Sequence, residues 1–181
     1  MTLDNLEPGT KLDNAALCEC FGCSPQGGMR RAHKTNSLVL ISNHVKSIYD
    51  DRWDNDVLLY TGMGTKLNQS LEFAQNKTLA ESPINGVNVH LFEVFKDKEY
   101  TYVGPVGLCG TPYLEQQMDE NGDERQVYIF PLKLSSGEHR VSLDDQHSLA
   151  ELKQKQAARL SDDKLKQRAQ LASRKAGERN N

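Results

Sequence analysis

The sequence predicts an α+β chain: a β-barrel-like sheet of short strands, one mid-chain helix and helices at the C-terminal end. Three observations carry this. Apolar runs rich in β-branched and aromatic residues recur at 37–42, 57–61, 87–96, 100–108 and 125–134, and a turn signal adds a hairpin arm at 113–118. One stretch, about Asn68 to Ser82, has helical rather than alternating periodicity. Two N-cap patterns follow the last strand, Ser148-Leu149-Ala150-Glu151 and Ser161-Asp162-Asp163.

The elements follow in order. Residues 1–19 read as a polar leader with a Pro8-Gly9 turn. Residues 22–36 read as a loop, because Gly22, Pro25, Gly27 and Gly28 break structure. The run 37–42 suits a buried strand, 43–56 a long polar connection, and 57–61 a second strand entering the Gly62–Gly64 turn. In the mid-chain helix Leu71, Ala74 and Thr78 share a face, and Gln75 and Asn76 project elsewhere. Strands 87–96 and 100–108 are joined by Asp97-Lys98-Glu99, and Asn121-Gly122 marks a hairpin between 113–118 and 125–134. Pro131 implies a bulge or an edge position. The cap signals place helices at about 148–159 and 162–174, with Ala176–Asn181 frayed. Residues 20–143 then form one domain, and 144–181 a charged helical tail or linker.

A chain of 181 residues is long enough to bury a core. Apolar residues make up 37% and mean hydropathy is −0.66. No apolar run approaches the ~20 residues of a membrane span. The N-terminus has no basic-then-apolar signal pattern, so a cytoplasmic protein without membrane partners is expected. The net charge of −3 argues against a general nucleic-acid coater, but its distribution is uneven. Residues 24–80 carry seven Lys/Arg against five Asp/Glu, and 140–181 carry ten against six. Residues 81–139 carry four against ten. Basic segments flanking an acidic one are compatible with a local phosphate-binding face. Cys18, Cys20 and Cys23 cluster and Cys109 stands apart, without the paired knuckles of a structural zinc site. Reduced thiols, no metal and no cofactor are expected.

The most informative stretch is Tyr49-Asp50-Asp51-Arg52-Trp53, followed by the strand ending in Tyr60-Thr61-Gly62-Met63-Gly64. Carboxylates set between tyrosines suit a flat, polar, uncharged ring. Aromatic faces stack on it, a carboxylate accepts from an exocyclic amine, and glycine permits close approach. Cytosine is such a ring.

Several segments together resemble the SRA domains, which read modified cytosine by flipping it out of duplex DNA. They are Gly27–Arg31, Ser37–Ser42, Tyr49–Asp51, Tyr60–Gly64, Asn68–Leu71, Gln75–Leu79, Val89–Phe95 and Val127–Leu132. The resemblance is closest to the ScoMcrA-like SRA domain of bacterial Mcr-type restriction endonucleases, over roughly 20–134. It implies a PUA-like barrel and double-stranded DNA with 5-methyl- or 5-hydroxymethylcytosine as partner. It also implies that Tyr49 and Tyr60 sandwich the base, that Asp51 rather than Asp50 accepts from N4, and that Thr61, beside Gly62, contacts the O2 edge. Gly27, Gly28, Met29, Arg30 and Arg31 match a loop that enters DNA, with Met29 as wedge and the arginines on phosphate or the orphaned guanine. Lys66, Gln69 and Lys77 are phosphate-contact candidates. The segment Ala158–Leu165 looks like the linker that precedes an HNH nuclease, making such a nuclease the implied associate.

No catalytic set appears: there is no His-Asn-His nuclease pattern, P-loop or Gly-x-Ser-x-Gly elbow. The chain is therefore read as a binding module, not an enzyme. Three rival readings stay open. One is a PUA-like RNA-binding module using the same pocket physics. Another is an enzyme acting on a nucleobase or nucleotide through the Asp50/Asp51 pair. The last is a protein-interaction scaffold using the helical tail.

Overall fold

The computed structural model describes residues 1–46, 49–65, 67–119, 121–135, 141–155 and 157–158. Among them nine strands form one mixed sheet. They are β1 (Lys11–Leu12), β2 (Met29–Ala32), β3 (Ser37–Asn43), β4 (Arg52–Asp54), β5 (Val57–Thr61), β6 (Asn88–Lys96), β7 (Glu99–Leu108), β8 (Tyr113–Met118) and β9 (Glu124–Leu134). The helices are α1 (Asn14–Phe21), α2 (Gln75–Ala80), α3 (Ser82–Asn85) and α4 (143–155).

The pairing path runs β2-β3-β6-β7-β9-β5-β4, with β1 added to β7 and β8 to β9. The ends of the path, β2 and β4, do not pair among the described residues, so the expected barrel is an open, curled sheet. All pairs are antiparallel except β3 with β6, where Ser37 faces Asn88 and Asn43 faces Val94. These two strands are buried on both faces. Leu38, Leu40, Val89 and Leu91 join one core cluster; Val39, Ile41, Phe92 and Val94 join the other. Hence their sequences are continuous apolar runs instead of alternating ones.

Pro131 lies inside β9 without a bulge. On one side β9 pairs with β8 up to Ile129 and with β7 from Leu132 onward. The Pro131 carbonyl accepts from Cys109 N at 3.0 Å on that side. A residue's N and O point the same way in a strand, so the missing N–H falls where one partner hands over to the other.

Four expectations change. The segment read as a leader contributes Leu12 and Leu17 to the second core cluster, which Cys20 and Phe21 just beyond it also join. Its helix α1 is capped by Asp13, whose side chain accepts from Ala16 N at 2.8 Å, and ends at Gly22 with φ of 75°. The stretch 22–36 is not all loop, since β2 pairs Met29 with Leu40 and Ala32 with Ser37.

The mid-chain helix is confined to α2 and α3. Asn68 and Gln69 are spent on β9: Gln69 N donates to Gln126 O and Asn68 Oδ1 accepts from Gln126 N. Ala74 then takes φ of 47°, which a helix interior excludes. Finally, α4 starts before Ser148. Ser142 is its N-cap, with Asp145 N donating to Ser142 Oγ at 3.2 Å. The expected helix at 162–174 lies outside the described residues. No helix among the described residues is long and apolar enough to cross a membrane.

Candidate functional site

The ends of β3, β5 and β8 converge on Asp51. Its Oδ2 accepts from Ser42 Oγ at 2.9 Å and its Oδ1 from Thr61 N at 2.7 Å. Gln117 of β8 donates from Nε2 to Thr61 Oγ1 at 3.1 Å and receives Asp50 N on Oε1 at 3.2 Å. Burial pushes the Asp51 carboxyl up to about 6, against the donors Thr61 and Ser42 and the nearby His44, which favour ionisation. A carboxylate offers about four acceptor positions. The two fixed bonds therefore orient Asp51 and leave it able to accept more.

Asp50 is placed differently. Its side chain is 71% exposed and pairs with Arg52 at 3.3 Å. Arg52 also grips Glu115 with both terminal nitrogens, and that contact holds the Glu115 carboxyl below its usual range. Tyr49 is half-buried, which raises its hydroxyl above the usual value; Arg125 and the Gly64 backbone hydrogen-bond to it.

Tyr49, Asp50 and Asp51 line one cavity of about 240 Å³ together with Asn43, His44 and Arg52. Its remaining wall is α4, through Leu149, Leu152 and Lys153. At about 30 Å³ per liquid water, the cavity equals roughly eight waters, room for one ring of pyrimidine size. Among the described residues no group of three or more His, Cys, Asp or Glu is placed to hold a metal ion.

The other predicted site residues lie beneath or beside this cavity. Tyr60 is 2% exposed and part of the core, its hydroxyl within 3.0 Å of Gly28 O and 3.1 Å of Ile41 O. Burial raises its hydroxyl well above the usual value. As placed, Tyr60 ties β5 to β2 and β3 and offers no ring face to the cavity. Thr61 supports Asp51 from behind. Gly62 is required by packing: a Cβ there would sit 2.7 Å from Asn76 Oδ1 and 2.9 Å from Phe130 Cε2. Asn76 is fully buried rather than projecting away. It clamps the loop through Met63 N at 2.7 Å, Met63 O at 3.0 Å and Ser70 O at 3.0 Å.

Among the expected DNA-loop residues, Gly27 precedes β2 with φ of 95°, and the Gly28 carbonyl accepts from Ile41 N at 2.7 Å. Met29 is buried in the core, so it does not stand ready as a wedge. Arg30 is also buried. It donates to Gly27 O at 2.8 Å and Asn14 Oδ1 at 2.7 Å, and its guanidinium lies 5.7 Å from the Tyr100 ring centroid. Arg31 donates to Ala32 O, Ser37 O and Asn36 Oδ1, fastening the β2–β3 turn. Gln69 is no phosphate contact as placed. Its amide nitrogen serves Gly62 O at 2.5 Å and Gly64 O at 3.1 Å, and its oxygen takes Tyr128 N at 2.9 Å. Lys77 is exposed and pairs loosely with Glu72 at 3.5 Å. Lys66 lies outside the described residues.

Sequence reasoning missed Ser42, Gln117, Arg125 and the α4 residues. Ser42 ends an apolar strand, a weak sign that its hydroxyl is used. Arg125 is 5% exposed and reaches Gly64 O and Leu67 O, with its Nε lacking a partner among the described residues.

The site is thus a polar cavity on an open mixed sheet, with an oriented carboxylate in its lining. The chain belongs to the ScoMcrA-like SRA-domain family, whose model matches residues 8–157. Among solved structures, the sulfur binding domain and SRA domain of ScoMcrA complexed with phosphorothioated DNA aligns at TM-score 0.61 and 17% identity. It covers 81% of this chain and 45% of that one. The type IV phosphorothioation-dependent restriction endonuclease ScoMcrA aligns at 0.60 and 17%, covering 81% and 32%. The SUVH5 SRA domain bound to fully hydroxymethylated CG DNA aligns at 0.56 and 22%, covering 76% and 95%. These likenesses establish the fold. The chain spans less than half the length of either ScoMcrA structure. No curated protein matches the sequence.

Proposed function

We propose that this chain binds duplex DNA carrying 5-methyl- or 5-hydroxymethylcytosine by extruding the modified base into the Tyr49–Asp51 cavity. The observation that carries this is the cavity itself, walled by an aromatic ring and by a carboxylate already aimed by Ser42 and Thr61. The ring of Tyr49 stacks on the base, and stacking of this kind is worth about 1–3 kcal/mol. Asp51 accepts from the N4 amine, a contact that guanine or thymine cannot supply in the same place. Extrusion costs a few kcal/mol, which these contacts and phosphate contacts offset together.

The fixed placement of Asp51 and the salt-bridged, exposed placement of Asp50 support Asp51 as the reading carboxylate. Relatives solved with methylated and hydroxymethylated DNA support the ligand class. In this reading the chain recognises and does not cut; cleavage belongs to an HNH nuclease domain or subunit acting with it in a modification-dependent restriction system of the cytoplasm.

Fluorescence anisotropy at moderate salt tests the proposal, using matched duplexes with 5-methylcytosine, 5-hydroxymethylcytosine or cytosine. Tighter binding of the first two is expected, and Asp51→Ala should remove the difference. Equal affinity for all three, or a larger loss from Asp50→Ala than from Asp51→Ala, would overturn the assignment.

A further inference from the structure

The helix α4 lies at the end of the domain, yet its buried positions form a single stripe. Asp145 is buried and Ser148, Leu149 and Leu152 are partly buried, while the other residues from 142 to 155 are exposed. The spacing i, i+3, i+4, i+7 is one helical face. Its N-terminal end is pinned: Asp145, 2% exposed, receives Lys11 Nζ at 3.2 Å, and Lys96 pairs with Asp144. Its other end carries Leu149, Leu152 and the exposed Lys153 onto the cavity that holds Tyr49 and Asp51. On the sheet side that cavity is lined by polar groups and one tyrosine. The two leucines are thus its aliphatic surface, and Lys153 lines the same cavity as Asp50 and Asp51.

We propose that α4 is the outer wall of the base pocket, with Leu149 and Leu152 setting the room for the extruded base and its 5-substituent. The base site is then built from two parts of the chain about a hundred residues apart, and its selectivity resides partly in the C-terminal helix. Lys153 at the edge of the wall meets a phosphate next to the extruded nucleotide and offsets the repulsion from Asp50 and Asp51. This inference rests on the base-pocket reading above.

The test uses the full chain with Leu152→Trp, Leu152→Ala and, as reference, Asp51→Ala, titrated with the three duplexes. Leu152→Trp narrows the cavity and is expected to weaken both modified duplexes by about tenfold or more, with unmodified binding held within about twofold. Leu152→Ala widens it and is expected to raise the affinity ratio of hydroxymethylated to methylated duplex by about threefold or more. Unmodified binding and the far-ultraviolet melting curve report the fold, and the Ala variant carries the test alone if the Trp variant does not hold the wild-type curve. Unchanged ratios in both Leu152 variants, with Asp51→Ala erasing the preference, would overturn the wall and leave the pocket standing. A wild-type chain with no preference would overturn both readings.

Discussion

Asp51→Asn separates what Asp51 does for binding from what it costs the fold. Asparagine has the same shape: its Oδ1 can accept from Thr61 N, and its Nδ2 can donate to a rotated Ser42 hydroxyl. The carboxyl of Asp51 is raised from 3.8 to about 6. A raised acid means that the native state holds a proton which the unfolded chain has already released. The stability contribution is therefore fully present below pH 3.8 and lost as pH rises through 6. That is a few kcal/mol in full, of which on the order of 1 kcal/mol falls between pH 5 and pH 8. Asparagine carries no such dependence. Urea unfolding of both proteins at pH 5 and pH 8 should show the stability of Asp51→Asn relative to wild type improving by on the order of 1 kcal/mol across that interval. Titrating groups that do not interact with Asp51 cancel in the comparison. At pH 8 the same variant should lose the preference for modified duplex, by about 1–3 kcal/mol, because an amide donor now faces the N4 amine. A stability difference that stays flat between the two pH values would refute the desolvated carboxylate. Preference retained in the variant would refute its reading role.

Other substitutions test the frame around the cavity. Gly62→Ala should lower stability by about 1–3 kcal/mol in urea melts, because its methyl group meets Asn76 and Phe130 at under 3 Å. Asn76→Ala should cost about 2–3 kcal/mol by the same measure, since it strands the Met63 amide and carbonyl. Arg30→Ala should lower stability by about 2 kcal/mol and leave the salt dependence of DNA binding intact, because Arg30 is spent on Gly27, Asn14 and Tyr100. A salt slope reduced by about one with unchanged stability would instead mark Arg30 as a phosphate contact.

The sheet was legible where strands are long and apolar. The run 57–61 and the hairpin 113–118 with 125–134 coincide with β5, β8 and β9 to within a residue, because period, turn chemistry and burial agree there. The misses have a common physical origin: polar side chains that satisfy distant backbone look like surface or helix-forming residues in sequence. Gln69 and Asn76 fit a helical pattern, yet their amides hold the 62–70 loop to β9 and α2. Arg30 and Arg31 read as a DNA-facing loop, yet their fixed partners sit in α1 and the β2–β3 turn. The grouping of Tyr49, Asp50 and Asp51 was legible from residue types, but the partners Ser42 and Gln117 that hold it were not. Nor was the approach of α4, since Leu149 and Leu152 reach the cavity through a helix whose start is held by Lys11 and Lys96, far off in sequence.

The parallel pairing of β3 with β6 has a consequence for how the molecule assembles. Ser37 and Asn88 meet across about fifty intervening positions, whereas the β6–β7 and β8–β9 ribbons close over short turns. Local ribbons form in about 1–10 μs, but a contact of such long range must wait for the intervening chain to be ordered. The β3–β5–β8 junction that orients Asp51 needs that pairing and also the longer-range β5–β9 pairing, in which Thr61 meets Ile129. The junction is therefore a property of the finished sheet: a partly folded chain would carry most of its hairpins and yet lack an oriented Asp51, and any ligand engaging the junction would stabilise the whole domain by mass action.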